Sequence, residues 1–436
     1  MKSKFFLLAF SFTGLEIFAQ TSSYPANWTL DNCIEYAKEH NISINSLRLS
    51  KNSAEQDLLQ AKDAKYPSLN GTVSQGIFAL NGGNGLQATG VPSQSIGLGS
   101  SMTLYHAGYI KNNESSKNLL VQMADLSVLE AQNNITLSIT QAFLSILMTQ
   151  ENIVSLEGVL KTTQTQLKQG DQFYSAGNIS KLNYLQIQAQ VAQDEYNLTS
   201  ARNTLRTDIV NLKQLLQLPS EYNFQITQPD RIVVDDQLKP LQEVQTLAQN
   251  QRPEVKYGEL NIENSNTNLK MAQASIQPTL SVTGNISTSY ANGSGNYFNQ
   301  LGNNFYMPVG LSLGIPIYNN RIYKTQIEKS KIAIEQANLD LLNTKTVLNQ
   351  QVEQSYISLQ NAVSQYDSAS RQLDINKQTY DIMNAQMKIG SIDYVQLQQQ
   401  RLLYIQSIQN YLQAKYTAVL NKQIYEFYAG NPINLK

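Results

Sequence analysis

The apolar positions of this chain change their spacing several times, and each change marks an element. Ile44, Leu47, Ala54, Leu58 and Ala61 fall on one face of a helix, as do Val255, Ile262, Leu269, Ala272 and Ile276 further on. Pro67 and Pro278 close these two stretches. Beyond Pro67 the spacing becomes that of a strand, with Leu69, Val73 and Ile77 on one face, a turn-rich run at Asn81-Gly82-Gly83-Asn84-Gly85, and a return through Ile96, Leu98, Met102 and Leu104. In the second stretch Leu280, Val282 and Ile286 lead to Ala291-Asn292-Gly293-Ser294-Gly295. Met307, Val309, Leu311, Leu313, Ile315 and Ile317 then alternate with Pro308, Gly310, Ser312, Gly314 and Pro316. After each strand pair a heptad register takes over, through Ile139, Ile146, Ile153, Leu160 and Leu167 in one case and Val352, Leu359, Tyr366, Leu373 and Tyr380 in the other.

The two stretches are copies. Moving the sequence by about 211 to 213 positions lays Tyr66-Pro67-Ser68-Leu69 on Gln277-Pro278-Thr279-Leu280, Ile96-Gly97-Leu98 on Val309-Gly310-Leu311, Tyr105 on Tyr318 and Gly177 on Gly390. Past the glycines, Val191, Leu198, Leu205 and Leu212 map onto Tyr404, Tyr411, Ala418 and Tyr425. Two tandem structural repeats are therefore expected. The first covers 21–218, with a β-hairpin at about 67–106 and a long helical hairpin at about 107–218. The second covers 242–430, with a β-hairpin at about 278–318 and a helical hairpin at about 319–430. A linker at 219–241 containing Pro219, Pro229, Asp235, Asp236 and Pro240 joins them, and 431–436 forms a tail. Tyr109 to Gln169 has no proline and one glycine, Gly158, and could form a helix on the order of 90 Å long. Ile322 to Ile389 contains neither residue.

The first twenty residues read as a secretory signal peptide: Lys2 and Lys4, an apolar core from Phe5 to Phe12, and a small residue at Ala19. Nothing later reaches the ~18 consecutive apolar residues of a membrane-spanning helix. An exported chain of this kind enters a membrane only as β-strands. Aliphatic residues on one strand face and small or polar ones on the other suit a lipid-facing barrel with a wet lumen, although a hairpin packed on a soluble core gives the same pattern in one strand. Four strands cannot close a barrel, so membrane insertion requires several chains, each contributing a four-stranded section.

Composition narrows the chemistry. The 436 residues carry 32 Lys+Arg and 33 Asp+Glu, a net charge of −1, and only 15% are charged. Asn and Gln supply the missing polarity, and without a basic cluster no nucleic-acid partner is expected. One cysteine, Cys33, excludes an intrachain disulfide, and two histidines, His40 and His106, leave little for a metal site. No P-loop, dinucleotide fingerprint or catalytic triad is present, so neither an enzyme nor a cofactor is expected. Cys33 reads as a small buried hydrophobe, and the tyrosines of the last helix (Tyr394, Tyr404, Tyr411, Tyr416, Tyr425, Tyr428) as seam packing.

These residues carry a resemblance over essentially the whole mature chain. Ala61-Lys62-Asp63-Ala64-Lys65-Tyr66-Pro67-Ser68-Leu69, its copy from Ala272 to Leu280, and the stretch Val309 to Tyr318 resemble the TolC-like outer-membrane efflux proteins. So do the paired turns Tyr174-Ser175-Ala176-Gly177 and Met387-Lys388-Ile389-Gly390. The opening from Trp28 to Ile34 is similar to the start of the mature domain in members from Bacteroidetes-type bacteria.

The resemblance implies a mainly α protein with β: a homotrimer with an outer-membrane β-barrel of four strands per chain, continued across the periplasm by a long α-helical coiled-coil barrel. It implies a passive duct of a tripartite efflux pump or type I secretion system, docking a periplasmic adaptor at the tips Gly177, Asn178, Gly390 and Ser391 and so reaching an inner-membrane pump. The entrance departs from the family. Relatives carry aspartates six and nine residues after the second tip glycine, where this chain has Gln396 and Gln399, and Asn183 stands six after Gly177. Asp393 reads as an N-cap, with a displaced acidic ring as the alternative. Asn183, Asp393, Gln396 and Gln399 are expected at the entrance. The competing reading of the whole chain is a periplasmic or surface coiled-coil scaffold without a channel.

Overall fold

A computed structural model of the chain describes residues 24–25, 27–79, 90–229, 232–234, 238–291, 296–389 and 391–433. The expected signal peptide, the loop residues 81–85 and 292–295, Asp235, Asp236 and Gly390 lie outside the described residues.

The elements run α1 (Leu30–His40), α2 (Ile42–Asp63), β1 (Ser68–Ala79), β2 (Gly90–Tyr105), α3 (Tyr109–Ser175) and α4 (Lys181–Leu216). They continue as α5 (Leu241–Gln251), α6 (Pro253–Ala274), β3 (Thr279–Ala291), α7 (Tyr297–Asn303), β4 (Val309–Gly314), α8 (Ile322–Lys388) and α9 (Tyr394–Tyr428). α1, α2 and α3 have 11, 22 and 67 residues, and α5, α6 and α8 have the same three lengths.

Local chemistry sets the breaks. Asn41 ends α1 and caps α2, its Oδ1 accepting from the amides of Ser43 (2.9 Å) and Ile44 (3.4 Å). Pro253 takes the first position of α6, so α5 ends at Gln251 and Arg252 caps both helices. The expected amphipathic helices are α2 and α6, and the structure adds a short helix before each, α1 and α5.

α3 extends past Gln169 to Ser175 because Gly170 serves close packing: a Cβ there would stand 2.9 Å from Ile187 Cδ1 on α4. β4 is shorter than the alternation from Met307 to Ile317 suggests. It ends at Gly314, ahead of Pro316, which has no amide to donate to the ladder. The helix α7, capped by Asn296, lies between the expected loop at 291–295 and β4, where the sequence pattern marks no element.

The strands form one antiparallel sheet in the order β1-β2-β3-β4, so β2 and β3 join the two halves. The register places Val73 opposite Ile96, Leu98 opposite Ile286, and Val282 between Met102 and Leu311. One face is therefore aliphatic across all four strands. On the other face Thr72 meets Gly97, Gly97 meets Ser287, and Thr283 lies between Ser101 and Gly310. Neither face has a core beneath it within the chain: Leu69, Val73, Ile77, Val309 and Leu311 are 71% to 76% exposed.

The helices supply the packing. α3 lies along α4 and α8 along α9, while α2 rests on α3 and α6 bridges α3 and α8. Every heptad position named above is buried or half-buried. One core joins Trp28, Cys33, Phe143, Ile146, Leu212, Leu216 and Tyr416, and another joins Val244, Val255, Val352, Leu359 and Tyr425. Among the described residues no helix is long and apolar enough to cross a membrane.

Phe143 is 1% exposed in the first core. Truncating it by Phe143→Ala is expected to cost about 3–5 kcal/mol. Denaturant unfolding of the detergent-solubilised protein measures it, as a lower midpoint at unchanged slope.

Candidate functional site at the hairpin tips

In both helical hairpins the first helix closes with an amide that donates to the carbonyl five residues back. α3 ends with the amide of Gly177 donating to the Tyr174 carbonyl (3.0 Å) and that of Asn178 to the Phe173 carbonyl (2.8 Å), while Gly177 takes φ +77. This is the left-handed closure that glycine adopts without penalty. Ser180 then caps α4 through the amide of Asn183 (3.2 Å). At the second tip the Ser391 amide donates to the Gln386 carbonyl (3.0 Å), and Asp393 Oδ1 caps α9 by accepting from the Gln396 amide (2.8 Å).

The structure places the expected site residues in three situations. Asn178 and Ser391 are exposed in the turns, beside Gly177, and Gly390 lies outside the described residues. Gln396 and Gln399 are exposed on the first turns of α9, and Asp393 is the N-cap that its position suggests. Asn183 is half-buried and faces the other hairpin. With Phe173, Ile179 and Ile187 it lines a small cavity closed on the far side by Met387, Tyr394 and Leu397, so the two tips of one chain stand side by side.

Above this cavity lie polar groups that periodicity alone does not reveal. Asp194 of α4 and Arg401 of α9 pair with side chains 3% and 2% exposed, and Thr163 Oγ1 of α3 donates to Asp194 Oδ2 (2.7 Å). Closer to the equator, Lys415 Nζ (2.9 Å) and Tyr416 OH (2.8 Å) donate to Glu151 Oε2. The sequence holds one signal for the first pair: Asp194 lies three residues after seam position Val191 and Arg401 three before Tyr404, so each puts a charge on an apolar face.

Burial pushes the Tyr394 phenol up to about 12, with Arg401 pulling the other way, and burial also raises Tyr416, reinforced by its bond to Glu151. Both hydroxyls therefore stay protonated at neutral pH.

The remaining residues have packing roles. Tyr380 stacks on Tyr404 (5.4 Å between centroids) and Tyr366 meets Tyr411 (5.7 Å), along the α8–α9 seam. His106 stacks on Tyr109 at 4.7 Å. Cys33 is fully buried, and burial pushes its thiol up to about 12. Among the described residues no group of three or more His, Cys, Asp or Glu could hold a metal ion.

The sequence profile of the family described as outer membrane efflux protein matches residues 33–217 and 244–423, well over half of the chain. The chain belongs to the outer membrane efflux protein family. It is 23% identical to the outer membrane protein TolC of Salmonella enteritidis over 189 residues, a stretch covering 42% of this chain and 38% of that protein. The crystal structure of CusC superposes with a TM-score of 0.79 at 17% identity, covering 94% of each chain. The CmeC outer membrane channel of Campylobacter jejuni superposes at 0.77 and 15%, covering 93% of this chain and 87% of its own. The fold is thus that of the TolC-like efflux proteins, and the family places the chain in the outer membrane.

Two outcomes follow from this geometry. Asp393→Ala removes a cap worth about 1 kcal/mol, so the Gln396 amide is expected to lose roughly fivefold of its hydrogen-exchange protection, while Asp393→Asn retains it. At pH 8 the folded protein is expected to leave Cys33 unreactive to iodoacetamide and the denatured protein to expose one thiol, counted by mass spectrometry.

Proposed function

We propose that this protein is the outer-membrane channel component of a tripartite efflux pump or type I secretion system, a passive trimeric duct. The observation that carries the reading is the sheet. It has two open edges, an exposed aliphatic face and an exposed face of Ser, Thr, Gly and Asn. Open edges are not tolerated in lipid, where no water satisfies the free amides and carbonyls. Pairing β4 of one copy with β1 of the next satisfies both edges, and three copies give a twelve-stranded barrel, apolar outside and wet inside.

In this reading the repeats, 21–218 and 242–430 joined by the linker 219–241, each contribute one β-hairpin to the barrel and one helical hairpin to a periplasmic tube. The turns at Gly177, Asn178, Gly390 and Ser391 receive a periplasmic adaptor. Leu182 and Ile389, 65% and 80% exposed beside these turns, give it an apolar surface to cover. Asn183, Asp393, Gln396 and Gln399 surround the entrance. The chain works without a cofactor or catalysis of its own, and an inner-membrane pump of RND, ABC or MFS type supplies the energy.

The test is single-channel recording of the detergent-purified oligomer in a planar bilayer under a salt gradient. Stable steps with weak cation preference are expected, because three of the four entrance residues are amides and Asp393 is engaged as the N-cap of α9; strong cation selectivity would point to an Asp393 ring. A protein that inserts nowhere and extracts without detergent would be a coiled-coil scaffold instead.

A further inference from the structure

At the sheet end the β2–β3 pairing and α6 align the two halves, whereas toward the tips the hairpins of one chain meet along α3 and α9. Ile153 and Leu160 of the seven-residue series on α3 pack with Leu198 and Ala201 of α4, inside the first hairpin, so that series does not set the offset between hairpins, and a slip of α9 against α3 by one heptad is about 10.5 Å. The turns at the tips set the register of α3 against α4 and of α8 against α9. They do not link one hairpin to the other.

The buried group around Arg401 does. Arg401 Nη2 donates to Asp194 Oδ2 and to Thr163 Oγ1 (3.3 Å), and Gln190 Nε2 donates to Asp194 Oδ1 (3.0 Å). Helices α3, α4 and α9 are thereby fastened at one level. The geometry is poor as a source of stability. Desolvating two charges offsets most of their attraction, and Arg401 Nη1 is buried with no protein partner. A slip of one heptad would move Arg401 from Asp194 to the level of Ile187 or Ala201 on α4, neither of which carries a charge, so the penalty falls on every register but one.

We propose that the Arg401–Asp194–Thr163 junction is a register key, which sets the axial offset of the two hairpins and so brings both tip turns side by side without adding net stability. The inference concerns a single chain and holds whether or not the protein conducts. Glu151, about 18 Å toward the equator along α3, joins Lys415 and Tyr416 in a second contact of the same offset, but more exposed at 38% and 15% for the Glu and Lys side chains. The buried junction lies nearer the tips, where an offset error would be felt most.

The test places spin labels on cysteines introduced at the exposed positions Lys168 on α3 and Gln413 on α9, with labelled chains diluted in unlabelled ones and buried Cys33 left unmodified. The parent is expected to give one distance. Asp194→Leu combined with Arg401→Met removes both charges at similar volume. It is expected to keep the thermal midpoint of the parent but to gain a second distance, displaced by roughly 10 Å. Asp194→Leu alone strands a buried guanidinium and is expected to lower the midpoint. Asp194→Asn, which keeps the shape, is expected to fold and to show the displaced distance at a smaller fraction. A single parental distance in both the double variant and Asp194→Asn overturns the proposal. So does a double variant that fails to fold or melts as low as the single one, since the junction would then be a stabilising clamp.

Discussion

A strand edge inside a bilayer must find a partner, because each unpaired amide or carbonyl there costs several kcal/mol. This constraint organises the protein. The sheet of one chain ends in β1 and β4 with both outer edges free and with neither face covered by its own core. Its aliphatic face is useless in water and its Ser/Thr/Gly face is useless in lipid, and a closed ring of several copies, as in the proposed assembly, satisfies faces and edges together. The alternation of small and large residues along β4 is therefore more than a packing detail.

Below the sheet the constraint changes from pairing backbone groups to covering apolar seams. Helices of 67 residues cannot be buried in a globular core, and they shield their seams by lying on one another. Short helices do the rest: α1 and α5 each seal a cluster near the middle of the long helices, and α6 holds α3 to α8. The polar contacts then do what heptads cannot. Ser116 of α3 donates to Asn264 of α6 (2.7 Å), Tyr416 and Lys415 reach Glu151, and Arg401 reaches Asp194, each selecting one alignment among several apolar ones.

At the tips the chain has the paired turns by which it resembles its family. A backbone bond spanning five residues and a side-chain N-cap recur at both, while Gln396, Gln399 and Asn183 stand where charge would be expected. Amides can hydrogen-bond to each other or to water, but they neither repel nor titrate, so an entrance built from them closes by contact more than by field.

The sequence by itself determined the order of the elements, the seam residues, the two faces of the strands and the glycine turns. Each of these is a local matter of period, proline or φ, readable within a few residues of Ile146, Leu311 or Gly177. It also placed the N-cap at Asp393 and the buried thiol at Cys33. Only the tertiary structure decided that Gly170 is a contact with Ile187, that β4 stops short of Pro316 while α7 precedes it, and that a short helix, α1 or α5, precedes each expected amphipathic helix. It alone found Asp194 beside Arg401. Those two residues are 207 positions apart, and although each puts a charge on an apolar face, nothing local pairs them. Their meeting depends on how whole helices pack, and that is set by the sum of many weak contacts.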